Sequence, residues 1–195
     1  MGNILGNKSM KEICNKIRNK EVHDSEIIRN IEYAKREDPR FDINLVWENW
    51  TLLIWAINRD RIELIEYLLT DPKLNYEGYG GTALIITCHR NDVDICKLLL
   101  SRQDLDVNIQ YQNGWTGLHY ACSNNYVGIV KELLLDARVN TSIRCNLGNT
   151  AQDSAMEKEH LGIANIFKKV LLTSLLRIPN RALLHDIVRM VIQEY

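Results

Sequence analysis

The sequence predicts an all-α solenoid of stacked helix-turn-helix units with β-hairpin-like fingers. The first observation is a row of four threonines, Thr51, Thr82, Thr116 and Thr150, at spacings of 31, 34 and 34 residues. The second is that each threonine opens two short apolar patterns at helical spacing. The third is the period itself, because a repeat of about 33 residues is typical of arrays in which each unit packs only against its neighbours.

The same residue types return at fixed distances from each threonine. The threonine is suited to cap the first helix, because its hydroxyl can accept a bond from a free backbone N–H. Five residues later a small side chain lets neighbouring helices approach, and larger apolar residues of the second helix fill the space between units. The small residues are Ala56, Thr87, Ala121 and Ala155; the second-helix residues begin with Leu64, Ile95, Ile129 and Ile163.

Turns are predicted at two places in every unit. The helical pattern breaks once between the two helices, at Asp60, Asn91, Asn125 and Glu159. Glycines two residues before a threonine, at Gly80, Gly114 and Gly148, supply the backbone freedom of a tight finger turn. Each unit closes on an asparagine, at Asn44, Asn75, Asn108 and Asn140.

The third unit has the fullest motif, Gly114-Trp115-Thr116-Gly117-Leu118-His119-Tyr120-Ala121. On these residues and the period, the chain resembles the ankyrin-repeat family over residues 42–170. It departs from the family signature in having no proline after the threonine, and in keeping the histidine only at His119. The resemblance implies that His119 bonds backbone between units and is not a metal ligand.

These features divide the chain into seven segments. Residues 9–44 repeat the spacing of the later units in divergent form and are expected to cap the array. The segments are a tail at 1–8, the divergent N-terminal repeat at 9–44, repeats at 45–75, 76–108 and 109–140, a terminal repeat at 141–170, and a helical extension at 171–195.

Composition excludes several classes of function. The 24 basic and 25 acidic residues leave a formal charge of −1, so no overall basic excess serves nucleic acid. The start lacks the apolar core of a secretion signal, and no apolar run is long enough to span a membrane. The cysteines are odd in number, and equivalent positions of neighbouring units lie about 10 Å apart, too far for a disulfide. We therefore expect a cytoplasmic monomer with reduced cysteines.

No catalytic, metal-binding or cofactor-binding motif is visible, so we predict a non-enzymatic interaction protein. The resemblance implies a protein partner on the concave face, formed by the fingers and the ends of the first helices. The candidate contact residues on that face are Trp47, Trp50, Trp55, Arg59, Tyr79, His89, Arg90, Trp115 and Tyr120. Aromatic and arginine side chains often dominate binding energy at protein interfaces. The alternative is that Trp47 and Trp50 pack against the N-terminal unit, and that Trp55 and Tyr120 belong to the core.

The two ends carry separate hypotheses. Gly2 follows the initiator methionine as in N-myristoylated proteins, although Gly6 stands where serine or threonine is preferred. Residues 1–20 hold five basic residues and one acidic, a second membrane signal. The C-terminal segment is interpreted as a capping helix after Pro179, or alternatively as a truncated F-box-like motif that recruits a ubiquitin ligase.

Overall fold

A computed structural model describes residues 4–39, 41–78 and 81–175. Within these ranges the chain forms ten α-helices in five consecutive pairs. The helices are α1 (Ile4–Arg18), α2 (Asp24–Glu37), α3 (Leu52–Asn58), α4 (Ile62–Leu68), α5 (Ala83–Arg90), α6 (Val93–Leu100), α7 (Gly117–Ser123), α8 (Val127–Leu135), α9 (Ala151–Glu157) and α10 (Leu161–Leu175). The predicted all-α solenoid is confirmed.

The helices pack as two parallel rows. The first helices of the pairs form one row, in the order α1, α3, α5, α7 and α9. The second helices form the other row, from α2 through α4, α6 and α8 to α10. The N-terminal pair extends both rows, so α1 and α2 occupy the position of a further unit. The core lies between the rows and is built from side chains such as Leu53, Ile65 and Leu133, which are almost completely buried.

All four repeat threonines cap a first helix, as the sequence predicts. Their hydroxyls accept hydrogen bonds from the backbone N–H three residues later: Ile54 for Thr51, Ile85 for Thr82, His119 for Thr116 and Asp153 for Thr150. The breaks between helices also fall where the sequence places them. Asp60, Asn91, Asn125 and Glu159 all have φ between 55° and 62°, in the left-handed region that ends one helix and redirects the chain into the next.

The fingers are short antiparallel turns. In the second, β1 (Glu77–Gly78) pairs with β2 (Gly81–Thr82), and the other three each close on a single bridge. The bridges join Trp47 with Trp50, Tyr111 with Trp115, and Arg144 with Thr150. Glu48 and Asn49 complete the first turn with φ of 50° and 70°, the geometry of the tightest hairpin turns.

Asparagines tie successive units together at the far end of the second helices. The side chain of Asn44 donates to the carbonyl of Lys73 at 2.7 Å and accepts from the N–H of Asn75 at 2.7 Å. Asn108 repeats this pair of bonds with Arg138 and Asn140. Asn44 and Asn108 therefore satisfy backbone groups between units. The side chains of Asn75 and Asn140 instead accept locally, from the N–H groups of Glu77 and Ser142.

The last unit leaves one apolar side chain exposed at a position that internal units cover. Ile57, Cys88 and Cys122 are fully buried six residues after their threonines, whereas Met156 at the same position is 47% exposed. Helix α10 continues through Leu175, beyond the repeat boundary predicted at residue 170. The capping-helix and F-box-like hypotheses for the C-terminal segment concern residues after 175, which lie outside the described residues, as does Gly2.

Candidate functional site

The first finger and α3 form a compact tryptophan cluster. Trp50 and Trp55 meet edge to face with ring centroids 4.6 Å apart. The indole N–H of Trp55 donates to the carbonyl of Trp47 at 3.1 Å, which joins the helix to the finger. Trp55 is 3% exposed, and Trp47 and Trp50 are partly buried against the same core. This cluster holds the finger on its own helix.

The N-terminal unit closes over this cluster. The guanidinium of Arg18, at the end of α1, lies 4.3 Å from the ring centroid of Trp55 and also pairs with Glu48 at the finger tip. Arg59 approaches the same ring less closely, at 6.0 Å. The assignment of Trp55 as a contact residue is therefore corrected: its ring is buried beneath Arg18 and belongs to the core. Trp47 and Trp50 are partly buried against the core, and their packing against the N-terminal unit stays a prediction.

A second aromatic group lies on the third unit. The rings of Trp115 and Tyr120 meet edge to face at 4.9 Å, and Tyr120 meets His89 of the second unit at 5.8 Å. His89 is exposed, while Trp115 and Tyr120 are partly exposed. Burial of part of its ring raises the pKa of Tyr120. We call His89, Trp115 and Tyr120 the aromatic patch.

His119 anchors the helix that carries the patch. Its Nδ1 accepts from the backbone N–H of Thr116 at 3.2 Å, and its Nε2 lies 3.1 Å from the carbonyl of Asn149 in the next unit. Accepting at Nδ1 leaves the proton on Nε2, which donates to that carbonyl. Burial lowers the pKa of His119 and favours this neutral form. The predicted structural role, a backbone bond between units, is confirmed.

The two arginines proposed for the site differ in their surroundings. Arg90 pairs with Asp92 at 2.6 Å and with Asp60 of the preceding unit at 2.5 Å, so it joins two units. Arg59 is exposed at the end of α3. Tyr79 lies outside the described residues. Of the proposed contact residues, the structure brings together His89, Trp115 and Tyr120 in one group, with Trp50 and Trp55 in another.

Several residues beside the patch are not among the predicted contact residues. Gln112, Asn113 and Asn124 are exposed on the third unit, and Leu147 at the tip of the fourth finger is 82% exposed. The third and fourth fingers are adjacent, since the N–H of Asn146 donates to the carbonyl of Asn113 at 2.9 Å. Leu147 could have been found from its position on the finger, three residues before Thr150. Its neighbours in the sequence are not aromatic, unlike those of Trp115.

The described ranges contain neither a metal site nor a membrane-spanning helix. There, no group of three or more histidine, cysteine, aspartate or glutamate side chains is arranged to hold a metal ion. In the same part of the chain, no helix combines the length and apolar character needed to cross a bilayer. The five cysteines are buried with free thiols, and burial raises the pKa of Cys14 to about 12. Such thiols are poor nucleophiles and ligands.

Comparison with known families matches the array directly. A family model described as ankyrin repeats (3 copies) matches residues 21–111 and 86–171. Together these matches run from the start of α2 into α10 and include every residue of the aromatic patch. No individual curated protein matches the chain.

Proposed function

The chain belongs to the ankyrin-repeat family, and we propose that it holds a protein partner against the aromatic patch of His89, Trp115 and Tyr120. Ankyrin repeats are in general protein–protein interaction modules and are typically non-enzymatic. The proposal goes further in placing the contact at the second and third units, with the module acting as a rigid scaffold, adaptor or inhibitor.

The observation that best supports this proposal is that the fold does not need aromatic rings at the patch. Trp115 directly precedes its threonine and Tyr120 follows it by four residues; the fourth unit has Asn149 and Ser154 at these positions and forms the same helix pair. Aromatic rings that packing does not require, and that keep part of their surface in water, lower the solubility of a protein unless a partner covers them. Tryptophan and tyrosine are enriched among residues that dominate binding energy.

The patch is also held in a fixed position. Trp115 is joined to Tyr111 by two backbone hydrogen bonds of 2.9 and 3.1 Å. Tyr120 lies on a helix whose N-terminus is closed by a reciprocal capping box between Thr116 and His119. A preorganised surface loses little conformational freedom when a partner binds. We therefore expect small backbone changes on binding.

Affinity purification with mass spectrometry tests the proposal. The bait would be the full chain in eukaryotic cells, compared with the double variant Trp115→Asn/Tyr120→Ser, whose new residues are those of the fourth unit. Tyr33→Ser is the matched control, because Tyr33 is an aromatic residue that is 60% exposed on α2, a second helix of the N-terminal pair. We expect a partner that is retained by the wild type and the control and lost by the double variant. Identical partner lists from all three proteins would refute the assignment of the patch.

Two alternatives from the sequence remain predictions. Myristoylation of Gly2, with attachment to a membrane, is checked by the intact mass of the protein from eukaryotic cells, which would carry the acyl increment. Recruitment of a ubiquitin ligase through the F-box-like motif that begins at Ile178-Pro179 is checked by co-purification of a cullin-ligase adaptor. Both concern residues outside the described ranges, and no specific contact favours either alternative over plain partner binding.

We place the module in the cytoplasm as a monomer.

A further inference from the structure

Several charged side chains around the candidate face form ion pairs within the chain. Glu48 pairs with Arg18 at the first finger, and Arg90 pairs with both Asp60 and Asp92 at the ends of α3 and α5. At the fourth finger Arg144 lies 3.7 Å from Asp153. Ion pairs already made within the protein offer little net attraction to a charged partner.

The third unit is distinctive because its candidate face has no charge. At the end of the first helix, seven and eight residues after the threonine, the flanking units have His89-Arg90 and Glu157-Lys158, whereas the third has Ser123-Asn124. The finger of the third unit supplies Tyr111, Gln112, Asn113 and Trp115, which are also uncharged. The surface is therefore aromatic with amide groups around it.

The amides are arranged to keep hydrogen-bonding groups available. Asn124 donates one N–H to the carbonyl of Tyr120 at 2.8 Å, and Gln112 donates one to the hydroxyl of Tyr111 at 3.2 Å. Each amide has a carbonyl oxygen and two N–H groups, so one bond does not exhaust its capacity. Both side chains are exposed. Amide groups of this kind can pair with a polypeptide backbone without selecting a charge.

The next finger adds one exposed apolar side chain, that of Leu147. Leu147 is 82% exposed, and its finger is bonded to the third both through Asn146 and through Gln110, whose side chain donates to the carbonyl of Arg144 at 3.0 Å. Because the two fingers are adjacent, a ligand that runs from the third finger onto the fourth can reach Leu147.

We propose that the patch recognises a segment of a partner protein that is uncharged, carries an aromatic or aliphatic side chain as its anchor, and runs across the third and fourth fingers. This inference rests on the proposed function and specifies its partner chemistry. Placing an acidic or basic group against the patch would remove water from that charge without supplying a counter-charge, which is unfavourable. An apolar anchor against the two rings gains free energy by burying surface on both sides.

The test is selection of random dodecapeptides, displayed on phage, against the full chain. We expect enriched peptides to have aromatic or aliphatic residues and a net charge near zero. Their binding should be lost with Trp115→Asn/Tyr120→Ser, kept with Tyr33→Ser, and weakened several-fold by Leu147→Ser. Their dissociation constants should change less than about threefold between about 50 and about 500 mM NaCl, since no ion pairs form.

Enrichment of strongly acidic or basic peptides, or binding that weakens more than about tenfold over that salt range, would overturn the inference. Failure to enrich any peptide above the double-variant background would also overturn it, because the patch would then not take an isolated segment. The proposed function would still hold if partner capture depended on Trp115 and Tyr120, because the partner would then bind through a folded surface and not through an isolated segment. If no peptide is enriched and partner capture does not depend on Trp115 and Tyr120, both proposals are rejected.

Discussion

The guanidinium of Arg18 lies over the buried indole of Trp55, with its central carbon 4.3 Å from the ring centroid. A cation over an aromatic face is attracted by the ring quadrupole, and the interaction strengthens as water is removed. Together with the Arg18–Glu48 pair, the contact attaches the N-terminal unit to the first finger and covers the ring of Trp55. Trp55 is therefore a buried structural residue, whereas Trp115 keeps part of its ring in water.

That difference predicts unequal costs of substitution. Trp55→Ala should lower the free energy of unfolding by about 3–5 kcal/mol, because it removes a buried ring and leaves a cavity beneath Arg18. Trp115→Asn should cost about 1 kcal/mol, since the ring is partly in water and the fourth unit already has asparagine there. Urea unfolding followed by circular dichroism measures both. Equal costs would show that Trp115 is also a core residue.

Arg61 is expected to hold the N-terminal unit in place. Its guanidinium donates to the carbonyls of Ile17 at 3.1 Å and Val22 at 2.8 Å, and it pairs with Asp24 at 3.2 Å. Arg61→Met would leave these groups at the end of α1 unsatisfied, at a cost of about 2–4 kcal/mol. Hydrogen exchange should accelerate in α1 and α2 and remain slow in α7 and α8.

Arg59→Met is the matched control for this prediction. Arg59 lies in the same turn but is exposed and only approaches Trp55, at 6.0 Å. We expect its exchange pattern to resemble that of the wild type. Uniform acceleration across all ten helices in the Arg61 variant would contradict a local role for Arg61.

His119 should make stability depend on pH in a defined window. Burial lowers its folded-state pKa below the ordinary value of 6.5, so the unfolded chain binds this proton more readily. The stability it contributes is therefore complete above about pH 6.5 and is lost as the pH falls towards the folded pKa. Protonation at Nδ1 would also abolish acceptance from the N–H of Thr116.

Thermal unfolding between pH 7.5 and 5 provides the measurement, with buffers of about constant ionic strength. The wild type should lose more stability over this range than His119→Gln, which removes the titrating group. His23→Gln serves as the control, because His23 is exposed before α2, and it should follow the wild type. An unchanged slope in His119→Gln would exclude His119 as the source.

The two finger glycines should differ in their tolerance of alanine. Gly114 and Gly148 have φ of 72° and 85°, so either substitution places a side chain in the left-handed region at about 1–2 kcal/mol. A Cβ on Gly114 would also lie 2.9 Å from the backbone nitrogen of Asn146, whereas nothing lies within 4 Å of one on Gly148. Gly114→Ala should therefore cost about 1–3 kcal/mol more than Gly148→Ala in urea unfolding. Equal costs would mean that the fourth finger moves freely away from the third.

Local rules were sufficient for much of the fold. Thr51 and Thr116 cap helices because hydroxyl capping involves only three or four consecutive residues, and Asp60 and Asn125 turn the chain for an equally local reason. The role of His119 could also be predicted, from the resemblance to ankyrin repeats, and the structure identifies its partner as the carbonyl of Asn149 in the next unit. The position of Trp115 on the third finger followed from the same periodicity.

Tertiary packing decided the rest. The sequence by itself determined the repeat, its caps and turns, and the existence of aromatic residues on the fingers, because those features return with a fixed period. It could not determine which aromatic rings stay accessible. Trp55 and Tyr120 occupy equivalent positions, four residues after their threonines, yet Arg18 covers the ring of Trp55, while the ring beside Tyr120 is that of His89. Exposure depends on which side chains of an adjoining, divergent unit reach each ring, and contacts between units do not follow the repeat pattern.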